Sequence, residues 1–108
     1  MSPNQVFNAL GDPTRLEIVE RLGREGAMAT VPLLDGLGMS RQAATKHLIA
    51  LENAGLVRST TVGRVVLREL QMDVLAQSAD WLLSRAAAWE RKLDKLQEFV
   101  ERKGASER

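Results

Sequence analysis

Leu33 to Leu48 read LLDGLGMSRQAATKHL, and the segment continues through IALENAGLV to Val57. Gly36 and Gly38 interrupt a short leucine run. Ser40 then offers a side-chain oxygen to the free N–H groups of a new helix. Position 43 is Ala, so the reciprocal half of a capping box is missing. Ala44, Leu48 and Leu51 recur at helical spacing with Ala43 and Ala54 beside them, and Gly55 is a stop signal. The opposite side carries Arg41, Gln42, Thr45, Lys46 and Ile49, and its members nearest the N-terminus can all hydrogen-bond. The result is one helix with a dry side and a hydrogen-bonding side.

A short helix, a tight glycine turn and a second helix of this kind match the helix-turn-helix pattern. A helix that reads DNA needs short or flexible hydrogen-bonding side chains near its N-terminus, the end that enters the major groove first. Its back must be held against the domain. Arg41, Gln42, Thr45 and Lys46 meet the first requirement. The N–H groups around Ser40 and Arg41 form a natural phosphate site.

Working outward, Thr30, Val31 and Pro32 open the short first helix, which runs through Leu33, Leu34 and Leu37 and stops at Gly36 to Gly38. Before it, GDPTRLEIVERL (11–22) places Asp12 as a cap and Pro13 as the first helical residue. Leu16, Ile18, Val19 and Leu22 form its apolar side, and Glu17–Arg21 and Glu20–Arg24 are i,i+4 pairs. Gly23 and Gly26 mark its end. Val6, Phe7 and Leu10 predict a further short helix ended by Gly11.

Downstream, LVRSTTVGRVVLREL (56–70) is rich in β-branched residues and loses the helical period. It predicts a hairpin turning near Val62 and Gly63, with Gly63 present for turn geometry. The consecutive Val65, Val66 and Leu67 do not declare which face of the second strand is buried. From Asp73 to Lys103 neither Gly nor Pro intervenes. Leu75, Ala79, Leu82, Ala86, Trp89, Leu93, Leu96 and Val100 follow a heptad seam. Thirty residues span about 45 Å, more than so small a domain can cover, so part of the seam meets another chain. Trp81 lies beside the seam, to pack on the domain or line a cavity. The expected organisation is one domain, 1–103, with a DNA-binding core at 1–72, a dimerisation helix at 73–103 and a flexible tail at 104–108.

The whole chain has 108 residues, 15 Lys+Arg against 14 Asp+Glu, one His and no Cys. At this length a monomer buries only about 60–65% of its unfolded surface, which favours sharing a core with a second subunit. Residues 1–35 carry a net −2, residues 36–64 a net +3 and residues 65–108 none. A local basic excess of this kind attracts a polyanion. Without Cys there is no disulfide framework, zinc finger or thiol nucleophile. The single His has no acid–base partner nearby in sequence, and no phosphate-cradling glycine loop occurs, so no catalytic residues are expected. The N-terminal MSPNQVFNALGDP lacks a basic region followed by an apolar run. No stretch approaches the roughly 20 apolar residues that span a bilayer. A cytoplasmic protein without membrane partners is expected.

ALGDPTRLEIVERL, MSRQAATKHLIALENAGLV and GRVVLREL, in that order, resemble the ArsR/SmtB-type winged helix-turn-helix repressors over about residues 5–75, with the long terminal helix also in place. The resemblance implies a mainly α fold with one β-hairpin wing. It implies a homodimer paired through the first and last helices, each subunit setting its recognition helix into an operator half-site of double-stranded DNA. On this resemblance Ser40, Arg41, Gln42, Thr45, Lys46 and His47 match recognition-helix positions, and Gly63 and Arg64 match the wing tip. His47 remains open between a DNA contact and a partly buried place on the helix. Arg58 and Arg64 would supply backbone or minor-groove attraction. Val6 and Phe7 join the seam residues as expected dimer contacts.

The chain departs from the metal-sensing members. VPLLDGL (31–37) has no Cys where their Cys-containing box lies, and the last helix has no His. It resembles the metal-independent branch, for which no metal or cofactor is expected and the small-molecule effector is unknown. The competing reading is a dimeric winged-helix module that binds a protein and not specific DNA.

Overall fold

The computed structural model describes residues 2–106. Helix α1 (Pro3–Leu10) begins at a capping box: the Ser2 hydroxyl accepts from the Gln5 N–H, and the Gln5 side chain accepts from the Ser2 N–H. In α2 (Pro13–Glu25) the Asp12 carboxylate accepts from the N–H groups of Thr14 (2.8 Å) and Arg15 (3.1 Å). Gly23 does not end α2, as the sequence had suggested. The helix continues to Glu25 and stops at Gly26, whose φ of 78° takes the chain into the left-handed region.

Strand β1 (Met28–Ala29) leads into α3 (Thr30–Leu34), which ends one turn earlier than Leu37 because the backbone at Asp35 is already extended. Helix α4 (Arg41–Asn53) starts at Ser40, whose hydroxyl accepts from Ala43 at 3.1 Å. Strands β2 (Val57–Val62) and β3 (Val65–Leu70) pair antiparallel from Val57↔Leu70 to Val62↔Val65. Gly63 (φ 64°) and Arg64 thus form a two-residue turn with its left-handed position first, the type II′ arrangement that suits strand twist. The hairpin gains a third strand: β1 pairs with β3 through Met28↔Arg68 and Ala29↔Leu67. Two residues are too few to show any period, so β1 had no sequence signal.

Val6, Ile18, Leu22, Leu33, Leu48, Leu51, Leu56, Val57 and Leu70 form the core of this part. Ala44, Leu48 and Leu51 are the buried residues of α4, as its apolar stripe requires. Ile18, Val19 and Leu22 are the buried face of α2, whereas Leu16 is half-exposed. In β3 the ambiguity resolves as partial burial of Val66, Leu67 and Arg68 and full burial of Leu70.

Helix α5 (Met72–Ser106) is longer at both ends than the expected 73–103. Residues 104–106 of the supposed tail are helical, and 107–108 lie outside the described residues. The chain divides into two compact units, with the division falling between Ala76 and Gln77. It falls after residue 72 because Val74 is buried in the first unit's core and Leu75 packs against it. In the second unit Leu82, Trp89, Leu93, Leu96 and Val100 of the seam are about half-exposed or more, as are Leu83 and Phe99 beside them. No helix among the described residues is long and apolar enough to cross a membrane.

Candidate nucleic-acid interface

The buried stripe of α4 fixes which side of the helix faces out. Arg41, Gln42 and Lys46 are exposed, Thr45 is half-buried and Ile49 is 48% exposed. The Thr45 hydroxyl donates to the Arg41 carbonyl at 2.7 Å. Its proton is therefore committed to the helix, and its oxygen keeps its lone pairs as an acceptor. Ser40 uses its hydroxyl as the cap, and α4 has no acidic residue in its first turn. No acidic side chain of that turn therefore meets the positive end of the helix dipole.

Two clamps that the sequence did not announce hold this helix. At one flank, His47 Nδ1 lies 3.7 Å from Asp12 Oδ1 and 3.3 Å from Arg15 Nη1. Arg15 also donates to the carbonyls of Asn8 and Ala9, so one guanidinium joins α1, α2 and α4. His47 therefore faces the start of α2 and not the arc of Gln42 and Lys46. Asp12 titrates below its ordinary value near 3.8. The largest cause is the Arg15 N–H donating to its carboxylate, opposed by partial burial and aided by the Thr14 N–H and the charges of His47 and Arg15.

At the other end of α4, Arg68 of β3 pairs with Glu52 and donates to Ser59 Oγ of β2 at 2.7 Å. Ser59 in turn donates to Glu52 at 3.0 Å, and Arg68 reaches Thr30 Oγ1 of α3 at 3.4 Å. One cation thus joins the recognition helix, the wing and the first helix of the motif. Arg21 does the same for α3, donating to the Leu33 and Asp35 carbonyls while paired with Glu17. The only hint of Arg68 in the sequence was a charge directly after the apolar run VVL (65–67); its partners are 9 to 38 residues away.

On the wing, Arg64 and Gly63 lie at the exposed tip, flanked by exposed Val62 and Val65. A Cβ added at Gly63 would meet nothing within 4 Å, so the glycine serves its positive φ and not a close approach. Arg58 is exposed on β2, in register with Glu69 on β3. Of the expected dimer contacts, Val6 is 1% exposed and belongs to the core of its own subunit. Its side chain is spent on packing within its own chain. Phe7 is half-buried, Leu75 packs on the core, and Ala79, Leu82, Ala86, Trp89, Leu93, Leu96 and Val100 are exposed. Trp81 stacks with Arg85 one turn on, the guanidinium 5.1 Å from the ring centre.

The donor set for a metal does not fit. Among the described residues no three His, Cys, Asp or Glu side chains gather. The single His is already engaged with Asp12 and Arg15, and α3, TVPLL, offers no thiolate or imidazole.

Residues 10–60, from the end of α1 into β2, match a helix-turn-helix domain family. The arsenical resistance operon repressor of Escherichia coli (strain K12) is 31% identical over 98 residues, covering 91% of this chain and 81% of that protein. An ArsR-like transcriptional regulator from Rhodococcus sp. RHA1 has a TM-score of 0.81 at 38% identity, over 90% of this chain and 91% of that one. The homodimeric winged helix-turn-helix DNA-binding domain from Mycobacterium bovis, described as a possible ArsR-family transcriptional regulator, gives 0.62 at 26% identity over 82% of each chain. The capped and clamped α4, the three-stranded wing and these likenesses converge: the chain belongs to the ArsR family of winged helix-turn-helix transcriptional regulators.

Proposed function

We propose that this regulator represses transcription by binding an operator as a homodimer, independently of any metal. The observation that carries this reading is the outward arc of α4. Arg41, Gln42, Thr45 and Lys46 present donors and an acceptor on a helix fixed from behind by Leu48 and Leu51 and at its flanks by His47 and Arg68. In the complex Gln42 reads a base edge, Arg41 and Lys46 contact bases or flanking phosphates, and the N–H groups after Ser40 hold a phosphate. Arg64 brings positive charge from the wing tip to the minor groove or backbone beside it, and Arg58 adds to the same field. His47 positions the helix. Two copies pair through the apolar seam of α5 from Ala79 to Val100. The repressor name of the Escherichia coli relative and the homodimeric state of the Mycobacterium bovis domain support the mode and the assembly.

Fluorescence anisotropy with the duplex upstream of the protein's own gene, against a scrambled duplex of equal length, tests the reading. The expected result is preference for the upstream duplex and a steep fall of affinity with salt, each neutralised phosphate adding about −0.9 to the log–log slope. A module that binds only protein shows neither preference nor slope, and that result overturns the proposal.

A further inference from the structure

Ile49 is the large apolar side chain on the outward arc of α4, and at 48% exposure it takes little part in the core. At about 100° per residue, with Arg41 as origin, Thr45 lies about 40° around the helix, Ile49 about 80°, Gln42 about 100° and Lys46 about 140°. The buried Ala44, Leu48 and Leu51 fall at about 280–340° on the same count. Ile49 therefore stands in the middle of the arc and not at its border with the core. Packing does not require it there. Helix propensity does not favour it either, because a β-branched side chain is a weaker helix former than Lys, Gln or Ala.

The face around Ile49 is otherwise built to hydrogen-bond. In a major groove nearly every base edge offers a donor or an acceptor, and an apolar side chain laid against one leaves it unpaired. The exception is the 5-methyl group of thymine. Eight residues of helix cover about 12 Å, so Arg41 and Ile49 together can follow three to four base pairs at about 3.4 Å each. We propose that Ile49 reads a thymine methyl group in each half-site, and so selects thymine where a hydrogen-bonding residue would select another base. This rests on the DNA-binding reading above and adds a base preference to it.

The test first selects a preferred duplex from a random-sequence pool with the purified protein. Each thymine of one half-site is then replaced in turn by deoxyuridine, which lacks only the methyl group. For the wild-type protein, one replacement should weaken binding about four-fold, the loss for one buried methyl. In Ile49→Ala the thymine and uracil duplexes should bind alike at that position, while the salt slope stays unchanged. Ile49→Val should retain part of the discrimination. Circular dichroism of Ile49→Ala checks that the helix content is kept, as expected for a half-exposed side chain. A selected duplex with no uracil-sensitive position, or with a sensitivity that survives Ile49→Ala, overturns the assignment and leaves operator binding standing. Failure to enrich any duplex overturns both.

Discussion

Arg41, Gln42, Thr45 and Lys46 share one arc but differ in what they can recognise. Gln42 carries both a donor and an acceptor and can take adenine bidentately, whereas Thr45, its proton given to the Arg41 carbonyl, can only accept. Gln42→Ala should cost about 1–3 kcal/mol on the preferred duplex and relax the preference at one base pair, as read by anisotropy on single-substituted duplexes. Asp12 acts at a distance from DNA. Its carboxylate caps α2, faces His47 and is held below its ordinary pKa, chiefly by the Arg15 N–H. The fold favours the ionised form, so the stabilisation is complete above the unfolded value near 3.8 and drains away as pH falls through and below it. Thermal melts below about pH 4 should therefore drop more steeply for the wild-type protein than for Asp12→Asn, which keeps a capping oxygen and does not titrate. Equal slopes would show that Asp12 carries no such linkage. The arc of α4 was legible because a helical period declares its own faces. The partners of His47 and Arg68 were not, because a contact across 32 or 38 residues leaves no local pattern.

Helices α2 and α4 start where a short-range signal says they should, whereas the length of α2 past Gly23 is decided by tertiary context. Ser40 and Asp12–Pro13 announced α4 and α2 because a cap is a local arrangement of two or three residues. Gly23 misled because a glycine inside a packed helix costs only about 1 kcal/mol, and the burial of Leu22 beside it keeps α2 intact. One side chain of the wing ties it to the helices. Arg68, on its central strand, reaches α3, α4 and β2 at once, and its side chain is 16% exposed. Arg68→Ala leaves Glu52 facing a partly closed site without its cation, which should cost about 1–3 kcal/mol in chemical denaturation. The same change should reduce the ratio of specific to scrambled-duplex affinity, since the wing and recognition helix then lose their fixed angle. Glu52→Gln should be milder, because the amide oxygen still accepts from Ser59 and Arg68. A variant Arg68→Ala with unchanged specificity would show that the network stabilises the fold without aiming the wing.

For the whole molecule, the open question of the sequence was what covers so long an apolar seam. Leu82, Trp89, Leu93, Leu96 and Val100 are all about half-exposed or more in a single chain, and pairing two such seams buries them in a coiled-coil manner. Sedimentation equilibrium at micromolar concentration should give twice the chain mass, and Leu93→Asp, which sets a charge at the middle of the seam, should give the monomer. The monomer should keep weak salt-dependent binding to any duplex and lose most of its preference, because only a dimer engages two half-sites together. That a seam exists was legible from the heptad spacing alone. That Val6 is buried in the core of its own chain was not, because a short amphipathic helix shows an apolar side without saying whether its own chain or another covers it. The most direct test of the whole account is to sequence the DNA fragments that the purified protein retains from a random pool. The account predicts an inverted repeat whose half-sites are centred about 10–10.5 base pairs apart or a multiple of that. A single unrepeated site, or no enrichment over the starting pool, would contradict it.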